Sequence, residues 1–285
     1  MSLASIALPI REALPHLNFS VLEIGARPMG ENEPFYDVVE SFPGSTLVGF
    51  EVDDKLCKEM NEEAKPGYTY FSQAIGGADE KTRFHNTMHP MCSSLLEPDT
   101  RIADLYNNMD FMLTHSITDL DTITLDTFAK ANNLGKIDFI KMDVQGPELY
   151  IFQAATEILK TVSFIVTEVE FIKIYHDQPL FGDISNFLSS QGFMFHKFLY
   201  LGGRALKPIV FGDDINAPSQ HMWSDAVFVR DINQLEKVSD EDLVKSAVLA
   251  FAYGSPDLTY FFLRQFDERN RNSNLANDVA EVMNN

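Results

Sequence analysis

The chain has 285 residues, enough for one large α/β domain or one domain with an appendix. Its 22 Lys and Arg stand against 42 Asp and Glu, a net charge of -20, which argues against nucleic acid as a substrate while leaving room for a local basic pocket. Two cysteines, Cys57 and Cys92, cannot make a disulfide framework and point to a reducing, cytoplasmic setting, and no apolar run reaches the ~20 residues of a membrane span.

Residues 1–18 read as a short helix and a lead-in. The apolar start has no basic leader and meets Arg11 and Glu12 at once, so it reads as a packing segment. Val21-Leu-Glu-Ile-Gly25 is a short buried strand ending in glycine, and Ala26 to Asn32 is a loop. Pro34 opens a helix with Phe35, Val38, Val39 and Phe42 on one face, closed by Pro43-Gly44. Leu47 to Glu51 is a second strand ending in an acid, and Lys55 to Ala64 a second helix. Tyr68 to Ile75 reads as a third strand, and Arg83 to Thr87 as a short added one. Residues 87–117 are the least regular. Their methionines, Met88, Met91, Met109 and Met112, suit a flexible substrate cover. Leu125 to Leu134 is a helix stopped by Gly135.

The stretch Ile137 to Ala155 organises the chain. An apolar strand ends at Asp143, turns at Gly146-Pro147 and becomes a helix at once. Glu148 complements the helix N-terminus, and Leu149, Phe152, Ala155 and Leu159 keep helical spacing on a core. A strand ending in a carboxylate and running into a helix describes the carboxyl edge of an open α/β sheet, where such folds bind ligands. An ordinary βα turn capped by Asp143 fits the same spacing. Lys141 and Asp143, two apart on the strand, share a face. Val162 to Phe171 is a β-branched strand carrying Glu168 and Glu170 on one face. Asp183 caps a helix ended by Gly192; Phe193 to Leu201 and Ala226 to Arg230 are late strands. Residues 232–285 read as two or three helices, which could pack on the sheet, cover the site or form a homodimer contact. The chain thus divides into a lead-in at 1–20, a main domain at 21–231 and a helical extension at 232–285. Alternating strands and helices give a parallel, doubly wound sheet.

The first loop decides the cofactor class. Gly25-Ala-Arg-Pro-Met-Gly30 misses the dinucleotide fingerprint at its middle position, where Arg27 blocks the approach of a pyrophosphate. Glu31 and Glu33 would repel it further, and Glu31-Asn32 stands where a phosphate loop needs Lys-Ser/Thr. What survives is a glycine turn after the first strand and Glu51 at the end of the second. Glu51 lies 21 residues past Gly30, near the ~20 expected for a ribose-binding acid. A nucleoside cofactor without a pyrophosphate fits, and S-adenosylmethionine is the obvious one. Its sulfonium and ammonium suit an edge rich in Glu23, Glu51 and Asp143. His85, His89 and His115 match no compact metal-ligand spacing, so no metal is expected.

Ile123-Thr-Leu-Asp126, Ile137 to Leu149, Val169-Glu170 and Gly192-Phe193, with Val21 to Ala26 and Phe50-Glu51, resemble the FkbM family of S-adenosylmethionine-dependent methyltransferases. The resemblance covers roughly residues 20–230. It implies a class I, Rossmann-like sheet of seven mostly parallel strands, with an antiparallel strand inserted near one edge. It departs from the family pattern at Gln145, where the family has Glu, and at Arg27, where it has Asn, with the loop's last glycine one residue late at Gly30.

The resemblance also implies roles. Glu23 and Gly25 would border the methionine part of the cofactor, Glu51 would hold the ribose, and Ala74 and Ile75 would flank the adenine. Arg27 is a candidate partner for the cofactor carboxylate. Asp143 would face the methionine moiety or the acceptor. An alcohol acceptor needs a general base, for which Asp143, Glu168, Glu170 and His176 are the candidates. The expected activity is O-methylation of a small-molecule or carbohydrate hydroxyl. A fold-retaining, non-catalytic protein with a degenerate cofactor site is the alternative, motivated by Arg27 and Gln145. An NAD-type oxidoreductase is disfavoured by Arg27.

Overall fold

The computed structural model describes residues 2–28, 30, 33–210, 212, 214 and 220–284. The first half of the chain forms α1 (Leu3–Ala13), β1 (Ser20–Ile24), α2 (Pro34–Ser41), β2 (Thr46–Phe50), α3 (Asp54–Glu62), β3 (Tyr68–Phe71), β4 (Ala74–Ile75), β5 (Glu80–Thr87), α4 (Thr100–Leu105), β6 (Thr114–Ile123) and α5 (Leu125–Ala131). The second half forms β7 (Phe139–Met142), α6 (Glu148–Gln153), α7 (Thr156–Leu159), β8 (Phe164–Glu170), α8 (Phe181–Ser190), β9 (Phe193–Phe198) and β10 (Trp223–Arg230). Three helices follow: α9 (Asp240–Ala252), α10 (Pro256–Arg269) and α11 (Leu275–Asn284).

Seven strands make one sheet in the order β3-β2-β1-β7-β8-β10-β9. Six share a direction, and β10 enters antiparallel between β8 and β9. This is the expected doubly wound, mostly parallel sheet with an antiparallel strand near one edge. The order reverses between β1 and β7, so the crevice for a ligand opens there.

Strand alternation divides the core in two. Val21, Phe139, Phe164, Val166 and Val227 face α1, α2, α9 and α10. Leu22, Ile24, Ile140, Met142, Ile165 and Phe228 face α5, α6, α7 and α8. The expected helix face at Phe35, Val38, Val39 and Phe42 is buried as one stripe. Residues 240–252 pack on the sheet itself: the Tyr253 ring, just past α9, stacks on Phe139 and Phe164 at 5.8 Å from each. Lys245 of α9 donates to Asp138 Oδ2 at 3.0 Å, and the same oxygen accepts the Ser20 N–H at 2.8 Å. Both side chains of that ion pair are almost fully buried, at 4% and 2% exposure.

Several local expectations need correction. The third strand is two: β3 ends at Phe71, and β4 joins a separate sheet of order β4-β6-β5. In that sheet β5 starts at Glu80, earlier than expected, and β6 occupies residues expected to be irregular. The apolar residues of β6, Ile117, Leu120 and Ile123, fall three apart, and most of the strand is exposed, so it lacks the period-two signature. The central helix breaks at Ala154-Ala155 into α6 and α7. Pro147 stands just before α6 as its cap rather than inside it. Asp183 sits inside the first turn of α8 and reaches back to the Leu180 N–H at 2.9 Å, so it is not the cap residue. Asn133, at φ 51°, makes the left-handed exit from α5 that was expected of Gly135. Expectations for Glu31 and Asn32 lie outside the described residues.

The buried Asp138–Lys245 pair gives a stability test. Lys245→Ala leaves Asp138 buried without its main countercharge and should cost about 3 kcal/mol in urea unfolding. Adding Asp138→Asn should recover part of that loss.

Candidate active site

Three strand ends meet at the carboxyl edge. The Gly25 and Ala26 N–H groups donate to the Phe50 carbonyl at 3.2 and 2.8 Å, and the Asp143 N–H donates to the Ile24 carbonyl at 2.9 Å. Gly25 has φ 86°, and a Cβ there would lie 1.9 Å from the Asp143 carbonyl oxygen. Only glycine allows the β1 turn to lie this close to the end of β7.

A cleft of 1310 Å³ opens over this edge. It exceeds the ~300–1,000 Å³ usual for a single small ligand. Glu23, Gly25, Arg27, Glu51, Ala74, Ile75 and Asp143 all line it. At the end of β2, Glu51 is 4% exposed and accepts from the Asp53 N–H at 2.8 Å. Arg27 donates to the same oxygen, Oε1, at 3.2 Å and to Asp53 Oδ2 at 3.3 Å. Among the described residues both of these hydrogen bonds to Glu51 fall on Oε1 rather than Oε2. Arg27, expected at a cofactor carboxylate, turns instead to the acids at the end of β2, because the loop aims its long side chain across the β1–β2 gap.

Glu23 faces the next part of the cleft and accepts from the Tyr36 hydroxyl at 2.7 Å. Burial raises its pKa to about 7, against the opposing effect of the Tyr36 hydrogen bond. Lys141 lies beside Glu23 in register on β7. Its ammonium is 3.0 Å from Asp225 Oδ1 and 4.0 Å from Asp143 Oδ2, so Lys141 and Asp143 do share a face. Burial opposes the charge on Lys141, but Asp225 and Asp143 outweigh it and the net shift is upward. The opposite wall comes from the small sheet and the segment after β5, through Asn86, Met91, Ser93, His115, Thr118 and Leu120. Met91 therefore does face the cleft, whereas Met109 and Met112 are buried in a separate cluster with Tyr106 and Tyr175.

Behind the cleft floor lies a buried polar cluster. The Glu148 carboxylate is fully buried and accepts the Val144 N–H at 3.0 Å and the Gly146 N–H at 2.9 Å. Burial pushes its pKa up to about 7. Glu168 and Glu170 are 8% and 2% exposed, do not line the cleft, and are shifted well above the ordinary carboxylate range by burial and by neighbouring acids. Gln145 stands between them and the cleft, donating to Asp143 Oδ1 at 2.8 Å and, through a short bond, to Glu168. His176 is not brought to the site. The segment after β8 folds back on Glu97 to Asp99, with the His176 N–H on the Glu97 carbonyl at 2.8 Å, and leaves His176 exposed. Tyr36, Tyr200, Asp225 and the small-sheet wall were not anticipated. Asp225 alone carried a signal, a charge inside the apolar run Trp223 to Val229.

The sequence matches the family model of the Methyltransferase FkbM domain over residues 23–195. The chain belongs to the FkbM methyltransferase family. Its methyl donor is S-adenosylmethionine. The FkbM cleft suits that group: an acid-rich wall for a cationic sulfonium and ammonium, a ribose-range carboxylate at Glu51, and apolar Phe50 and Ile75 beside it. Among solved structures, a protein of Thermoplasma acidophilum assigned as a methyltransferase aligns with TM-score 0.34 and 11% identity over 76% of this chain and 70% of its own. The 23S rRNA methyltransferase ErmE gives 0.35 and 12% over 88% and 78%. A SAM-dependent methyltransferase from Aquifex aeolicus gives 0.29 and 9% over 81% and 100%. Overlaps this loose say nothing about the acceptor, and the fold assignment rests on the strand order above. No curated protein matches the chain. Among the described residues no helix is long and apolar enough to cross a membrane.

Two outcomes check this geometry. Gly25→Ala should unfold at markedly lower urea, by more than ~2 kcal/mol, because the new Cβ meets backbone at a positive φ. The carboxyls of Glu23 and Glu148 have pKa values raised above their unfolded values, so the folded state binds extra protons between about pH 4.5 and 7. These two groups should therefore make stability fall as pH rises through that window. Glu23→Gln should make the fall shallower in thermal melts taken from pH 5 to 8.

Proposed function

We propose that the chain transfers a methyl group from S-adenosylmethionine to a hydroxyl of a small, uncharged acceptor such as a carbohydrate. The single observation behind this is the composition of the cleft. One end carries the glycine turn, Glu51 and Ile75; the other is walled by amide, hydroxyl and imidazole groups at Asn86, Thr118 and His115. Glu51 would hold the ribose hydroxyls through Oε2, braced by Arg27. Ala74 and Ile75 would flank the adenine, and Glu23 and Gly25 the methionine part. β7 is two strands from β2, so Asp143 is about 10 Å from the ribose end, within the reach of an extended cofactor. Asp143 would therefore meet its ammonium.

When bound, the cofactor supplies an electrophilic methyl on a sulfonium. The protein's part is then alignment, which carries much of the rate of such displacements. An alcohol must also lose its proton. Of the four acid–base candidates only Asp143 faces the cleft, where the cofactor end meets the acceptor wall. Polyanionic acceptors, nucleic acid among them, fit poorly. Glu23, Glu51, Asp53, Asp143 and Asp225 line the cleft against Arg27 and Lys141, and both of those cations are already paired with acids. Arg27 leaves the cofactor space open, which weakens the non-catalytic reading.

Calorimetric titration tests the proposal. The parent should bind S-adenosylhomocysteine and not NAD. Glu51→Gln should weaken S-adenosylhomocysteine by ~1.5–3 kcal/mol, the scale of hydrogen bonds to a charged group. A folded Glu51→Gln with parental affinity would remove Glu51 from the site, and a parent that binds neither compound would favour the non-catalytic reading.

A further inference from the structure

Gln145 is held more firmly than a loop residue needs to be. Its φ is 64°, a left-handed conformation that non-glycine residues adopt only where the surroundings enforce it. Its side-chain amide and its carbonyl are all engaged. Nε2 donates to Asp143 Oδ1 at 2.8 Å and, by a short bond, to Glu168 Oε2. Oε1 accepts from the Tyr175 hydroxyl at 3.2 Å, and the backbone carbonyl accepts from the Ser94 hydroxyl at 2.7 Å. The turn around it is fixed independently by Glu148, which takes the N–H groups on either side. The Gln145 side chain is therefore not required to shape the turn; what it does is tie the cleft-lining Asp143 carboxylate to the buried Glu168 behind it.

We propose that Gln145 is a positioning residue for Asp143: its amide fixes the Asp143 carboxylate toward the cleft, and it does so as a group that never titrates. This rests on the reading that Asp143 meets the cofactor ammonium. The charged surroundings explain why an amide serves here. Asp143 faces Lys141 on its own strand, Glu168 and Glu170 from β8, Glu148 from α6 and Asp225 from β10. Glu23 of β1 flanks Lys141, the Cys92 and Tyr200 side chains feel the Asp143 charge, and Tyr175 lies against Gln145 and the buried acids. Among the described residues, Lys141 is the cation that pairs with Asp143, and it is shared with Asp225. A carboxylate at position 145 could bridge Asp143 and Glu168 only while a proton is shared among the three. An amide bridges them at any pH.

The test is a double-mutant cycle read by calorimetry with S-adenosylhomocysteine, at pH 6, 7 and 8. Asp143→Asn and Gln145→Leu should each weaken binding at least ~10-fold, and the double variant should be no weaker than Asp143→Asn alone. Gln145→Glu should bind close to the parent at pH 6 and fall ~10-fold or more below the parent by pH 8, each compared with the parent at the same pH. If Gln145→Leu and Asp143→Asn lose affinity independently, or if Gln145→Glu follows the parent's pH profile, Gln145 serves the turn alone and the proposal fails. It fails also if folded Asp143→Asn binds like the parent. A parent that does not bind at all removes the cofactor reading and this inference together, a result distinct from the others. Should Gln145→Leu not fold, Gln145→Glu combined with Asp143→Asn gives the same cycle.

Discussion

The Glu148 carboxylate, buried at the start of α6 and holding the N–H groups of Val144 and Gly146, is the contact on which the site depends. A backbone donor left without a partner in this dry place would cost ~1–3 kcal/mol, and one side chain satisfies two of them. That fixes the chain from Asp143 to Pro147. Gly25 then fits against the Asp143 carbonyl, which sets how closely the first loop approaches β7. The first loop in turn carries Arg27 to Glu51. One buried acid therefore positions the floor of the cleft from Asp143 to Glu51. Burial raises its pKa, so this anchor is strained at neutral pH and is worth its cost through the geometry it imposes.

The polar residues of the site occupy one face of the sheet. Val21, Phe139 and Val227 of that face are buried beneath helices, and the same face two residues further on presents Glu23, Lys141 and Asp225. The change from apolar to charged happens within one step of strand alternation. It happens where the covering helices end and the cleft begins. Among the described cleft residues acids outnumber Arg27 and Lys141, each of which is shared between two acids. The field left over is negative, which favours a cationic cofactor and disfavours an anionic acceptor.

Much of this was legible in the sequence, for reasons that differ by element. β1, β2, β7 and β8 announce themselves as apolar runs bounded by glycine, proline or acids, and the helices between them by their spacing. Glu51 could be placed because its distance from the glycine turn is set by one βαβ unit. The small sheet was not legible. β6 is largely exposed and packs against β5 rather than a core, so no apolar alternation marks it, and with it the second wall of the cleft stayed hidden. The pairing of Arg27 with Glu51 and Asp53 was hidden for another reason: sequence gives the place of a long side chain but not its rotamer. Asp225 and Tyr200 come from the far end of the chain, and their arrival at Lys141 depends on β10 entering between β8 and β9.

The tie between Lys245 and Asp138 spans 107 residues, and it has a consequence for how the molecule is made. On a ribosome, β1, β7 and β8 are finished long before α9 emerges. Until it does, Phe139, Phe164 and Val166 have one flank without its helix, and Asp138 lacks its buried countercharge. The nascent sheet is thus a half-coated surface, and a segment synthesised after the FkbM match is the piece that closes it. A stop codon between residues 231 and 240 would release a chain carrying the whole FkbM match and most of the cleft, yet with an apolar face open to other chains. The catalytic half of the sequence is in this sense not self-sufficient, and its solubility is written at the other end.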